Sequence, residues 1–374
     1  MAAGMDPIHT LEALGQSVWL DDLDRNLLDS GELERLVARH GVHGVTSNPT
    51  IFARAIATSN AYDELVRNAH PGETDADVLE RIMVHDITLA CDRLRPVYDA
   101  TSGIDGFASI EVAPTIAHDT AKQVEHAKRL WDAVARPNLM VKIPGTRAGV
   151  AAIRSCLAHG LNINVTLLFS VARYCEIVEA FLSALESRIA AGHGVDRVAS
   201  VASFFVSRVD TNIDALLDRR DAALRGQIAI ANAKLAYEAY GRVVASPRWM
   251  RLAEHGARPQ RLLWASTSAK NPRYRDTYYV DALVGPQTVD TMTRDTLKAY
   301  VDHGQPAVRI TQGVQAAHQL LERLAALEID LVEATDALEE EGIASFTASY
   351  KASTRAIAQK REALVVWSPP ILWP

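Results

Sequence analysis

Lys142 stands in the run NLMVKIPGT, Asn138 to Thr146, with Met140, Val141 and Ile143 around it. Burial disfavours an ammonium ion, so a lysine held among apolar strand residues is a source of neutral amine. A neutral amine attacks a carbonyl carbon. The product is a Schiff base, an electron sink that lets a neighbouring C–C bond break or form without a metal. Such chemistry needs carboxyl groups to carry protons, and Asp21 and Glu111 are the two candidates. The amides of Asn48 and Asn164 suit sugar hydroxyls. Arg208 and Ser203, with Ser266 and Lys270 from WASTSAKNP, would supply the cations and hydroxyls a phosphate needs.

These residues have to be brought together by the fold. Short apolar runs rich in β-branched residues alternate with longer runs of helical spacing, the pattern of repeated βα units. Eight strands are predicted: Ser17 to Asp21, Gly44 to Asn48, Gly106 to Val112, Leu139 to Pro144, Leu161 to Leu168, Val198 to Phe205, Arg261 to Ser266 and Thr277 to Val284. Eight strands with intervening helices point to a closed α/β barrel of the (β/α)8 type. Side chains alternate along a strand, which puts Asn162, Asn164 and Thr166 on one face and Ile163, Val165 and Leu167 on the other. The helix-covered face should be apolar, so the polar set faces the interior. The same rule gathers Asp21, Asn48, Glu111, Lys142, Asn164 and Thr166 near the C-terminal strand ends, where such barrels place their chemistry. Each has a plainer explanation. An Asn or Asp after a strand commonly caps a helix, and a lysine near a strand end commonly reaches water. Six together would leave many buried polar groups unless they bind something polar.

The 374 residues are expected to form one domain, 1–374, with a helix and an apolar tail at about 330–374 packing on it. The charge balance of 39 Lys and Arg against 46 Asp and Glu gives −7, and no basic block favours nucleic acid. Cys91, Cys156 and Cys175 lie far apart in helical segments without metal-ligand spacing, and no cofactor or metal is implied. The start, MAAGMDPIHT, is not an export signal, and no apolar run has the ~20 residues that span a bilayer. A cytoplasmic protein is expected.

The segments SVWLDDLDR, GVTSNPTIF, SIEVAP, LMVKIPGT, NINVTLLFS, SFFVSRVD and LLWASTSAKNP, in that order, resemble the transaldolase family, in its longer bacterial type. The resemblance runs from about Leu11 to the C-terminal helix. It implies a barrel circularly permuted relative to other Schiff-base aldolases, acting on sugar phosphates in the non-oxidative pentose phosphate pathway as a monomer or homodimer. It also implies roles: Lys142 forms the Schiff base, Asp21 moves the hydroxyl proton, and Glu111 and Thr166 handle a water during imine formation. Asn48 and Asn164 would hold the dihydroxyacetone unit, and Arg208 the phosphate, with Ser203 and Phe205 lining the same region. Two rivals are an aldolase like fructose 6-phosphate aldolase that releases free dihydroxyacetone, and a sugar-phosphate-binding barrel without catalysis. The chain departs from the family at Ser268, where an arginine often stands, and Lys270 would supply that charge. In TVDTMT, Thr288 to Thr293, Asp290 and Thr293 replace a frequent Asn and Pro; that stretch is expected to follow the eighth strand.

Overall fold

Strands and helices alternate along the chain in the computed structural model, which describes residues 6–217 and 221–366. The strands are β1 (Gln16–Leu20), β2 (Val42–Thr46), β3 (Phe107–Glu111), β4 (Leu139–Pro144), β5 (Ile163–Leu168), β6 (Ser200–Phe205), β7 (Arg261–Ala265) and β8 (Thr288–Met292). Each pairs in parallel with the next, and β8 pairs with β1 from Gln16↔Thr288 to Leu20↔Met292, which closes the barrel. Every residue of β3 to β6 is buried, as parallel strands with a packed interior and a helical coat require.

The crossover helices start where short polar side chains can take their unpaired N–H groups. Thr146 accepts from Gly149 N and Ser170 from Arg173 N, so the turn GTRAG, Gly145 to Gly149, is a helix entry. Gly149 is required there, because a Cβ would lie 1.9 Å from the Pro144 carbonyl oxygen. Helix Val171–Ala190 turns Ile177, Phe181 and Leu185 inward onto the barrel core. A smaller apolar cluster joins Phe52, Ile56, Val78, Leu79 and Ile82 to Ile357 of the C-terminal helix, Leu331–Val366. Each such side chain contributes about 1.5–3 kcal/mol on burial, which anchors that helix across the barrel mouth.

One expectation needs correction. The run Thr277 to Val284 is not the eighth strand: Tyr278–Ala282 is a short helix, and β8 is TVDTM, the stretch expected to follow the strand. Tyr279 donates to Asp210 and Thr277 Oγ1 to Asp281 Oδ2 four residues on, contacts that favour the helical turn over an extended run. The segment from Gln312 to Glu362 is two helices, Val314–Ala326 and Leu331–Val366, separated at Glu328, whose φ is 57°. Glu339, in the second of these helices, is partly covered and pairs with Arg173 at 3.4 Å. The end of the apolar tail, residues 367–374, lies outside the described residues.

Candidate active site

A cavity of about 150 Å³ opens at the C-terminal end of the barrel, with Lys142 and Asp21 in its wall. Lys142 is 6% exposed and donates from Nζ to the carbonyl of Ser47 at 3.1 Å. Its Cα is in register with Glu111 on β3 and Asn164 on β5, so three polar side chains share one inward layer. The lysine's immediate setting is therefore carboxyl and amide groups, although its strand is apolar.

Asp21 is held on both oxygens. Thr46 Oγ1 donates to Oδ1 at 2.6 Å and Asn48 Nδ2 to Oδ2 at 3.2 Å. Burial raises its carboxyl above the usual range, while the Lys142 charge and these two hydrogen bonds pull the other way. Asn48 also caps helix Pro49–Thr58, since its Oδ1 accepts from Thr50 N at 3.0 Å. The cap fixes the amide, and its free end points to Asp21.

Glu111 is 5% exposed, and burial pushes its carboxyl up to about 7; Lys142 lowers it and Asp21 raises it. Its Oε2 has no hydrogen-bond partner, nor has Thr166 Oγ1 on β5. Unpaired buried oxygens beside a buried amine are costly and mark a place for a polar ligand. Asn164 is already engaged: Nδ2 donates to Ser109 Oγ at 3.1 Å and Oδ1 accepts from Ser203 Oγ at 2.7 Å. It forms a floor under the cavity, and Asn162, expected with it, instead ties backbone groups of Pro137, Leu139 and Ala199.

Across the mouth from Lys142 stand the cations. Arg208, the second residue of helix Ser207–Leu217, lies over the Phe205 ring at 5.7 Å. Burial lowers its pKa, opposed by Glu341 and Asp21. Lys270 sits at the exposed rim, its pKa lowered by partial desolvation and by Arg208. Ser266 follows β7 directly with φ of 57°, a left-handed conformation that costs a non-glycine residue about 1–2 kcal/mol, and shares a 3.0 Å hydroxyl contact with Ser207. Ser268 is bonded to Thr296 at 2.8 Å and lies 3.4 Å from Thr293, so a cluster of hydroxyls occupies the place where the resemblance implied an arginine.

All seven residues Asp21, Asn48, Lys142, Thr166, Ser203, Phe205 and Arg208 line this cavity with Ser266 and Lys270, while Glu111 and Asn164 are outside its lining and flank Lys142 on the neighbouring strands. Thr46, Thr291 and Phe346 also line it and were missed. Parity had already turned Thr46 inward, but nothing in the C-terminal helix distinguished Phe346 from its other apolar residues.

The family model described as Transaldolase/Fructose-6-phosphate aldolase matches residues 18–357. The chain belongs to the transaldolase/fructose-6-phosphate aldolase family. A transaldolase of Acidothermus cellulolyticus is 46% identical over 362 residues, covering 96% of this chain and 97% of that protein. Transaldolase 2 of Nostoc sp. is 44% identical over 370 residues, with 94% and 97% covered. A Mycolicibacterium smegmatis transaldolase is 47% identical over 350 residues, with 92% and 94% covered. Membership bears out the expectation of an enzyme, a ketone-group transferase whose relatives here are transaldolases, on a (β/α)8 barrel. Among the described residues no helix is long and apolar enough to cross a membrane.

Proposed function

We propose that this chain is a transaldolase that moves a dihydroxyacetone group from sedoheptulose 7-phosphate to glyceraldehyde 3-phosphate, through a Schiff base on Lys142, giving erythrose 4-phosphate and fructose 6-phosphate. The observation that carries the proposal is one buried amine flanked by two carboxyl groups whose pKa values burial raises. Lys142 attacks the ketose C2 carbonyl. The carbinolamine hydroxyl leaves as water on taking a proton, which Glu111 gives, with Thr166 beside it to orient that exchange. A carboxyl near pH 7 suits both giving and taking a proton.

Asp21 then accepts the C4 hydroxyl proton as the C3–C4 bond breaks, its raised pKa making it a stronger base than an exposed aspartate. The electron pair passes into the C=N bond, leaving an enamine on Lys142 while the aldose phosphate departs. The enamine carbon attacks the acceptor aldehyde, whose oxygen regains the proton from Asp21, and one water then hydrolyses the new imine, with Glu111 reversing its earlier proton transfer, to free the ketose phosphate and Lys142. Asn48 and Asn164 hold the dihydroxyacetone hydroxyls, and Arg208 and Lys270 the phosphate, with Ser203, Phe205 and Ser266 shaping the space between. We place this reaction in the cytoplasm and in the non-oxidative pentose phosphate pathway, carried out by a monomer or homodimer.

Borohydride reduction with fructose 6-phosphate, followed by peptide mass mapping, should leave a dihydroxyacetone-sized adduct on Lys142. An adduct on another lysine, or none, would sink the mechanism. Comparing transfer to erythrose 4-phosphate with release of free dihydroxyacetone separates this function from that of an aldolase like fructose 6-phosphate aldolase.

A further inference from the structure

Phe346 reaches the same cavity from the C-terminal helix, and its side chain is 7% exposed. The helix that carries it is pinned on both sides of that point. Before it, Glu339 pairs with Arg173 at 3.4 Å, and Gly342 packs on Leu167, where a Cβ would come within 2.9 Å of Leu167 Cδ2. After it, Ser349 and Thr50 share a 2.9 Å hydroxyl contact, Lys360 pairs with Asp63, and Arg361 bonds Asp75 at 2.9 Å. The helix packs on the segments that follow β2, β3 and β6. Phe346 is thus a fixed apolar surface facing a wall of hydroxyls and charges.

An apolar ring there forms no hydrogen bond with a sugar, and its physical effect is to keep water out. We propose that Phe346 is a specificity-determining residue that commits the enamine on Lys142 to an aldehyde rather than to water. This rests on the Schiff-base mechanism above. Transfer forms a C–C bond from the enamine carbon to the aldehyde carbon, the aldehyde oxygen takes one proton, and one water then hydrolyses the imine of the longer ketose. Release instead puts a proton on the enamine carbon, and one water then hydrolyses the imine of dihydroxyacetone. Both exits share one enamine and both end in hydrolysis, so the choice is made where the enamine carbon takes an aldehyde or a proton, and keeping water, the carrier of that proton, off this carbon biases it.

The test is the ratio of free dihydroxyacetone released to dihydroxyacetone transferred, measured with fructose 6-phosphate with and without erythrose 4-phosphate. Phe346→Ala should raise that ratio about tenfold, and Phe346→Leu by a smaller factor of about three. Because the two exits share an intermediate, partial loss of folded protein lowers both and leaves the ratio alone. An unchanged ratio in Phe346→Ala, with the Lys142 adduct still trapped by borohydride, overturns the proposal and leaves the Schiff base standing. Absence of the adduct in the unaltered protein removes the Schiff base and the proposal with it. Should Phe346→Ala not fold, Phe346→Leu decides: a raised ratio supports the role and an unchanged one refutes it.

Discussion

At the N-terminal end of the barrel Asp105 accepts from Trp19 Nε1 at 2.7 Å and from Arg261 at 3.2 Å, whereas at the C-terminal end Glu111 keeps a buried oxygen with no partner. The same contrast runs through the amides. Near the N-terminal end, Asn138 donates to the carbonyls of Cys91 and Gly106, both at 2.8 Å, and Asn162 to those of Pro137 and Leu139. At the other end Asn48 is turned onto a carboxylate and Lys142 onto one carbonyl. Both ends keep some unpaired buried atoms, Asn138 Oδ1 among them, but the amides at the N-terminal end donate to backbone carbonyls and stitch segments together, whereas the polar side chains at the other end turn toward one another around a cavity. Substitutions at the two ends should therefore divide between stability and turnover.

The largest separation is expected from Asp21→Asn. An amide there cannot take the hydroxyl proton, so kcat should fall by about 10²–10⁴ while borohydride still traps substrate on Lys142. Loss of trapping together with kcat would place Asp21 in imine formation instead of cleavage. At the opposite end, Asp105→Ala strips both Trp19 and Arg261 of their partner. Breaking a buried pair should cost about 3 kcal/mol of stability, read by urea unfolding, with kcat of the folded protein unchanged. A matching loss of kcat would end the division between the two ends.

Glu111→Gln joins both effects with opposite signs. Unfolded, its carboxyl titrates near 4.5; folded, burial moves it to about 7. Between those values the folded chain keeps a proton that the unfolded chain has lost, so stability falls as pH rises through this window. The cost above about pH 7 is about 3 kcal/mol, which the uncharged glutamine would not bear. The variant should therefore be more stable than the parent at about pH 8, equal to it below about pH 4, and slower in turnover at both. No gain at high pH would mean that burial does not raise the Glu111 carboxyl, which would then ionise in the folded protein as readily as in the unfolded chain.

The sequence made this site legible because strand parity is a local rule. Lys142, Asn164 and Thr166 needed only the alternation within their own strands, and the polar parity did turn inward. What failed depended on distant partners. TYYVDALV carries strand-forming residues, yet Tyr279 is bound to Asp210 and the run coils; TVDTM looks too polar for a strand, yet it closes the barrel. Thr291 lines the cavity, so Asp290 faces the other way, buried against the helical layer with Thr267 donating to it at 2.9 Å and its carboxyl pushed up to about 7. A buried acid on an outward strand position has no periodic signature. Phe346 was hidden for the same reason: its register against the cavity is set by Arg173, Thr50 and Asp63 from other parts of the chain.

The smallest effect tests the rim of the cavity. Ser268 spends its hydroxyl on Thr296, so the positive charge opposite Lys142 rests on Arg208 and Lys270. Partial desolvation and, after it, the nearby Arg208 charge lower the pKa of Lys270, and a bound phosphate dianion would oppose both by pairing with the two cations. Lys270→Ala should then raise KM for the sugar phosphates about tenfold while kcat stays within about twofold, since a charged hydrogen bond is lost in ground and transition states alike. The penalty should shrink as salt screens the exposed ammonium. An unchanged KM would take Lys270 out of the phosphate site, and a fall in kcat at constant KM would move it to the reacting end beside Asp21.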